Sequence, residues 1–163
     1  MLPIRTILYP TAFSEHSGRV FQLACSMARD HGAQLYVLHV MPPPMAVYAG
    51  GTILPMPDSD KDKLWNQLRR FQDGDSRLRV QHLLVEGNPA ETILRVIREI
   101  GCDLVLMGTH RRTGLGRLLM GSVAEQVVRK APCPVMTIKI PEHAGESDSG
   151  RPVAAAATTR TEV

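Results

Sequence analysis

The amino-acid sequence predicts an α/β protein: a doubly wound, five-stranded parallel sheet with helices on both faces. Two observations carry that prediction. Five short apolar runs rich in strand formers (4–9, 34–40, 78–86, 103–108 and 134–140) alternate with four stretches of helical periodicity. The runs are nearly continuous rather than alternating apolar with polar, as strands covered on both faces require. Strands of that kind, linked by helices, are buried by a parallel sheet with helices packed against it.

The elements follow in order. The first strand reads from Ile4 to Tyr9 and ends at Pro10. Ser14 is placed to cap a helix in which Val20, Leu23, Ala24, Met27 and Ala28 recur on one face, with Gly32 as its stop. QLYVLHV, 34–40, is the second strand. Residues 41–58 are crowded with prolines around Gly50-Gly51 and are expected to form a long loop. Ser59 with Asp62 resembles a capping box for a helix holding Leu64, Trp65, Leu68 and Phe71. LRVQHLLVE, 78–86, is the third strand. Asn88-Pro89-Ala90-Glu91 then opens a helix with a capping side chain, a proline at its first position and an acid in its first turn. That helix is expected to reach about Ile100. DLVLMG, 103–108, gives the fourth strand, Ser122 opens a helix to about Lys130, and PVMTIKI, 134–140, closes the series. From Pro141 onward small and polar residues offer nothing to bury, so the reading is one domain over 1–140 and a tail over 141–163.

Composition narrows the function. The formal net charge is +3. The tail carries Glu142, Glu146, Asp148 and Glu162 against Arg151 and Arg160, which leaves the body with 17 bases, 12 acids and a charge of +5. A body that mildly basic suits a small anionic ligand or an ordinary solvated surface, not nucleic acid. No apolar run approaches the ~18 residues of a membrane span, and MLPIRTILYP does not read as a signal peptide. Cys25, Cys102 and Cys133 are odd in number, far apart in sequence and never in a CxxC pair, which argues against a disulfide framework or a zinc knuckle. A reducing, cytoplasmic location is expected.

Chemistry concentrates at one edge. Ligands of doubly wound sheets bind at the carboxyl ends of the strands, where the winding reverses. YPTAFS, HVM, VEGNP and GTHRR stand at those ends. GTHRR begins GTHRRTGLGRLLMGS, 108–122, which closes on Gly121-Ser122 at a helix start, with Ser122 and Glu125 spaced as a capping box. Free N–H groups in a first helical turn, aligned with the helix dipole, attract an anion. The spacing fits neither a Walker loop, since no Lys-Ser/Thr pair follows a glycine, nor a dinucleotide fingerprint, whose third glycine position holds Leu119. Residues 108–122 contain no Asp or Glu, so no carboxylate base is present there. His16, His39 and His110 show no metal-ligand spacing; no metal site is expected, and these histidines read as surface or capping residues. Cys133, between Pro132 and Pro134, reads as a small packed residue, and Trp65 as core.

The chain resembles the single-domain universal stress proteins over about residues 3–140. The resemblance rests on PT-x-F-S (10–14), EGNPAETI (86–93), DLVLMGTH (103–110) and, above all, GLGRLLMGSVAEQVVRKAPCPVMTI (114–138). It implies strand order 3-2-1-4-5 and a homodimer formed around the last strand through Val135, Thr137 and Ile138. It also implies a stress-tolerance role without catalytic residues. Many members bind ATP through G-x-x-G, nine residues, then G-[S/T], which places Gly108, Gly121 and Ser122 in a nucleotide or anion site. Pro10, Thr11 and Val40 join it from the first two strand ends. Met107, Thr109, Arg111 and Val123 complete it. Two positions depart from the pattern: Arg111 stands where the second glycine belongs, and Ala12 where ATP binders tend to carry an acid. Arginine is a good phosphate fork, whereas Ala12 removes a hydrogen-bond acceptor. The cofactor expectation is therefore ATP or another nucleotide, with ATP affinity in doubt. A ligand-free interaction module of the same fold is the alternative, with a nucleotide hydrolase or nucleotidyl transferase behind it.

Overall fold

The computed structural model describes residues 3–41, 58–75, 77–109 and 122–139. Its elements are β1 (Thr6–Pro10), α1 (Ser17–His31), β2 (Gln34–Met41), α2 (Asp58–Leu68), β3 (Val80–Glu86), α3 (Pro89–Glu99), β4 (Leu104–Thr109), α4 (Ser122–Lys130) and β5 (Val135–Lys139). All strand pairs are parallel and the order is β3-β2-β1-β4-β5, as the resemblance implied. Most of the proline-rich stretch 41–58 and all of 140–163 lie outside the described residues.

Alternate strand residues sort the core into two layers. Ile7, Tyr9, Leu35, Val37, Leu104 and Leu106 pack under α1 and α2 with Val20, Phe21, Ala24 and Leu68. Leu8, Leu38, Val105 and Met107 face the other way and pack under α3 and α4 with Ile93, Ile97, Ala124 and Val127. Each fully buried aliphatic side chain contributes about 1.5–3 kcal/mol, and β1, β2 and β4 are buried in this way on both faces. Trp65 and Phe71 pack against the first layer as partly buried residues.

Several boundaries differ from the sequence reading, each for a local reason. Helix α1 starts at Ser17, not after Ser14, and His16 precedes it without a side-chain cap. Ser14 instead accepts the Ser17 N–H on its carbonyl at 2.9 Å, so residues 14–17 make a separate turn before the helix. Ser59 lies inside α2, which begins at Asp58, and Phe71 follows its end. Helix α4 runs from Ser122 to Lys130 as read, with Ser122 as its first residue instead of the cap that the Ser122–Glu125 spacing suggested. Met41 extends β2, because it continues the ladder opposite Glu86. Two signals hold as read: Gly32 closes α1 in the left-handed conformation (φ 62), and the Asn88 side chain accepts the Glu91 N–H in front of Pro89.

Candidate functional site

Strands β1 and β4 are where the winding reverses, and their pairing is short. The ladder between them comprises Ile7↔Leu104 and Leu8↔Val105. β1 goes on pairing with β2 as far as Pro10↔Leu38, and β4 with β5 as far as Thr109↔Lys139. Each strand therefore follows its outer neighbour beyond that ladder, and the place between their carboxyl ends is the usual ligand position in this architecture. Helix α4 runs back from that end toward β5, so its N-terminal residues Ser122 and Val123 belong to the same edge.

The chain leaving β1 is held from several sides. The Thr11 N–H donates to the Leu38 carbonyl at 2.8 Å. The Thr11 carbonyl accepts from Nδ1 of His39 at 2.8 Å, and its hydroxyl oxygen accepts the Phe13 N–H at 3.2 Å. Phe13 is consequently in the left-handed region with φ 56, at a cost of about 1–2 kcal/mol. Its ring offsets that cost by lying 4.1 Å from the His39 ring and 6.1 Å from Phe71. Burial holds the His39 pKa below its ordinary value, partly countered by the bond to Thr11. Next to it, burial raises the Tyr9 pKa, against the lowering effect of the Thr11 and Ser17 hydroxyls. Sequence reading left His39 as a surface or capping histidine and Phe13 only as a position of the PT-x-F-S motif. The alternation in β2 is the one signal that turned His39 toward this loop.

The sequence-derived site residues fall as follows. Pro10 and Thr11 lie at the end of β1, with Thr11 buried. Met107, Gly108 and Thr109 end β4; Met107 is buried, and the Thr109 hydroxyl donates to the Ile138 carbonyl at 3.3 Å, so its proton is already committed. Val40 is farther from the ends of β1 and β4, near the end of β2 and opposite Val85. Ser122 is exposed and Val123 half-buried. Arg111 and Gly121, with His110, lie outside the described residues. None of the eight site residues that are described carries a charge, so a bound anion there meets backbone N–H groups first. Val135, Thr137 and Ile138 lie on β5, an edge strand paired with β4.

The other end of the sheet differs. A cavity of about 270 Å³ there is lined by Ala28, Arg29, Asp75, Arg77 and Arg79 among others. Arg29 and Arg77 are ion-paired with Asp73 and Asp75, which offsets much of its positive charge. Arg77 also holds the half-buried Asp75 carboxyl down to about 2. Among the described residues no group of three His, Cys, Asp or Glu side chains is arranged to hold a metal ion, and no helix is long and apolar enough to cross a membrane.

The geometry defines a doubly wound α/β protein with its topological switch point between β1 and β4. The chain belongs to the universal stress protein family, whose model matches residues 3–139. It is 30% identical over 142 residues to the universal stress protein MJ0531 of Methanocaldococcus jannaschii, covering 85% of this chain and 84% of that protein. A protein of the same family from Burkholderia pseudomallei superposes with a TM-score of 0.65 at 28% identity, covering 83% of this chain and 96% of that one. The universal stress protein of Archaeoglobus fulgidus, solved in complex with dAMP, shares the fold with a TM-score of 0.59 at 24% identity, over 85% of this chain and all of that one (100%).

Proposed function

We propose that the chain is a dimeric, non-enzymatic stress-response protein of the cytoplasm, whose crevice between β1 and β4 takes a phosphate-sized anion or a nucleotide and holds ATP weakly. The observation that carries the reading is the early parting of β1 from β4 beyond Leu8 and Val105. It leaves room beside the rigidly held Thr11, at the edge where α4 begins. N–H groups of Ser122 and Val123, reinforced by the helix dipole, suit a phosphate. The A. fulgidus relative supports a mononucleotide as the class of ligand, since it has been solved with dAMP.

The weakness toward ATP follows from two side chains. Ala12 cannot accept a hydrogen bond from a ribose or an adenine. Arg111 replaces a glycine of the family's loop, which favours a charge contact over close backbone approach. The competing reading, an interaction module without ligand, rests on the same two residues. Equilibrium dialysis against phosphate, AMP, cAMP and ATP separates them: retention of phosphate or a mononucleotide supports the proposal, and retention of none supports the ligand-free module.

A further inference from the structure

Cys102 stands between α3 and β4, and Cys133 between α4 and β5, at the end of the sheet remote from the crevice. Their strands are neighbours in the register Val105↔Val135, and the Val105 N–H donates to the Pro134 carbonyl at 3.0 Å. Carried back, that register sets Cys133 level with Asp103, one residue from Cys102. Both cysteines precede their strands by two residues, and a strand spacing of ~4.8 Å with a rise of ~3.3 Å, extended back to them, would set the two Cα atoms about 6 Å apart. That separation lies inside the roughly 4.4–6.8 Å window of a disulfide. Both side chains join the cluster under α3 and α4, Cys102 buried and Cys133 half-buried. Cys25 is fully buried in the cluster on the opposite face of the sheet. The separation of 31 positions in the chain hid this pairing from the sequence reading.

We propose that Cys102 and Cys133 are a reversible thiol-modification site that closes to an intramolecular disulfide under hydroperoxide. The half-buried Cys133 is the sulfur an oxidant reaches. Its thiolate attacks one oxygen of hydrogen peroxide, the O–O bond breaks, and the hydroxide released takes the thiol proton to become water, leaving a sulfenic acid. The Cys102 sulfur then attacks the Cys133 sulfur; the S–S bond forms, the S–O bond breaks, and the Cys102 proton leaves with the hydroxyl as a second water. In sum, two thiols and one peroxide give one disulfide and two waters, with two electrons passing from sulfur to oxygen. Burial raises the pKa of both thiols, that of Cys102 to about 12, and the neighbouring Cys102 only partly offsets the rise at Cys133. Closure also requires Cys102 to give up its hydrogen bond to the Leu104 carbonyl, 3.2 Å long. The reaction is thus expected to be slow at neutral pH and faster as pH rises.

The test uses the full-length reduced protein, exposed to hydrogen peroxide, then unfolded, alkylated with N-ethylmaleimide and mapped by mass spectrometry. The expected result is the loss of two of the three alkylatable thiols, a peptide pair joined through Cys102 and Cys133 within one chain, Cys25 still labelled, and full reversal by dithiothreitol. In Cys102→Ser, dimedone should trap a sulfenic acid at Cys133 in place of the disulfide. Three labelled thiols after peroxide, a link involving Cys25, or a link between two chains through Cys133 would each overturn the proposal. The wild-type map decides the matter even if the variant fails to fold.

Discussion

Nδ1 of His39 lies 2.8 Å from the carbonyl oxygen of Thr11, 28 positions away in the chain. A carbonyl only accepts, so Nδ1 carries the proton and Nε2 is the bare nitrogen of the neutral ring. Through that bond the second strand fixes the segment leaving the first, next to the crevice. Any ligand contact made by Thr11 therefore depends on a histidine that need not touch the ligand.

The first prediction concerns pH. The folded-state pKa of His39 is depressed below the ordinary 6.5, so its neutral form contributes stability that is fully present above 6.5. As pH falls below that value the unfolded chain takes up the proton first, and stability declines until the folded pKa is reached. His39→Asn keeps an N–H donor but removes the titration. Urea unfolding between about pH 7.5 and about pH 5.5 should show a flatter dependence in the variant. Equal slopes in the two proteins would count against the half-buried, neutral His39.

A second prediction sits at the end of β3. Gly87 has φ 151, and a Cβ there would lie 2.5 Å from Oγ1 of Thr92. Gly87→Ala is expected to lower stability by about 1–3 kcal/mol in denaturant titrations. Gly18, in α1, is the control, because a methyl group there would meet nothing within 4 Å. Gly18→Ala should be neutral or gain about 0.5–1 kcal/mol. Similar losses at both sites would mean that Gly87 is not specially constrained.

These effects show what the sequence made legible. Both faces of the sheet could be read from runs such as QLYVLHV, because residues packed on two sides leave a continuous apolar record. Asn88 and Gly32 were readable for another reason: capping is settled by a few adjacent residues. Ser14 misled because a serine that opens a separate turn looks in sequence like one that caps a helix. His39 with Thr11, and Cys102 with Cys133, were invisible because parallel strands bring together residues about thirty positions apart. The parting of β1 from β4 is likewise a property of pairing, which no local pattern encodes.

The dimer proposal makes a third prediction. The Val105 N–H bonds to Pro134, so Val135 and Thr137 turn their own N–H and carbonyl groups toward the open edge of β5. An edge of that kind is a template for a second copy. Thr137→Pro removes an outward donor and spares the β4 ladder, where proline is tolerable. Sedimentation should find a dimer in the wild type and a folded monomer in the variant. A wild-type monomer at micromolar concentration would contradict the proposal, and an unaffected variant dimer would move the interface elsewhere.

Residues 141–163 are proposed as a tail outside the folding unit. Truncation after residue 140 should leave the thermal midpoint within about 2 °C of the full chain, since surface segments without packing contribute little. A drop of ten degrees would make the tail part of the domain.

The central claim is an anion site kept at the start of α4, while Ala12 and Arg111 stand where ATP would need an acceptor and a glycine. The most direct test is calorimetric titration of ATP into the wild type and into the double variant Ala12→Asp, Arg111→Gly. Restoring an acceptor and a glycine should raise ATP affinity by about one to two orders of magnitude, corresponding to ~1–3 kcal/mol. Micromolar ATP binding by the wild type, undiminished or weakened by the double substitution, would contradict the account and make Arg111 a contact within a working ATP cradle.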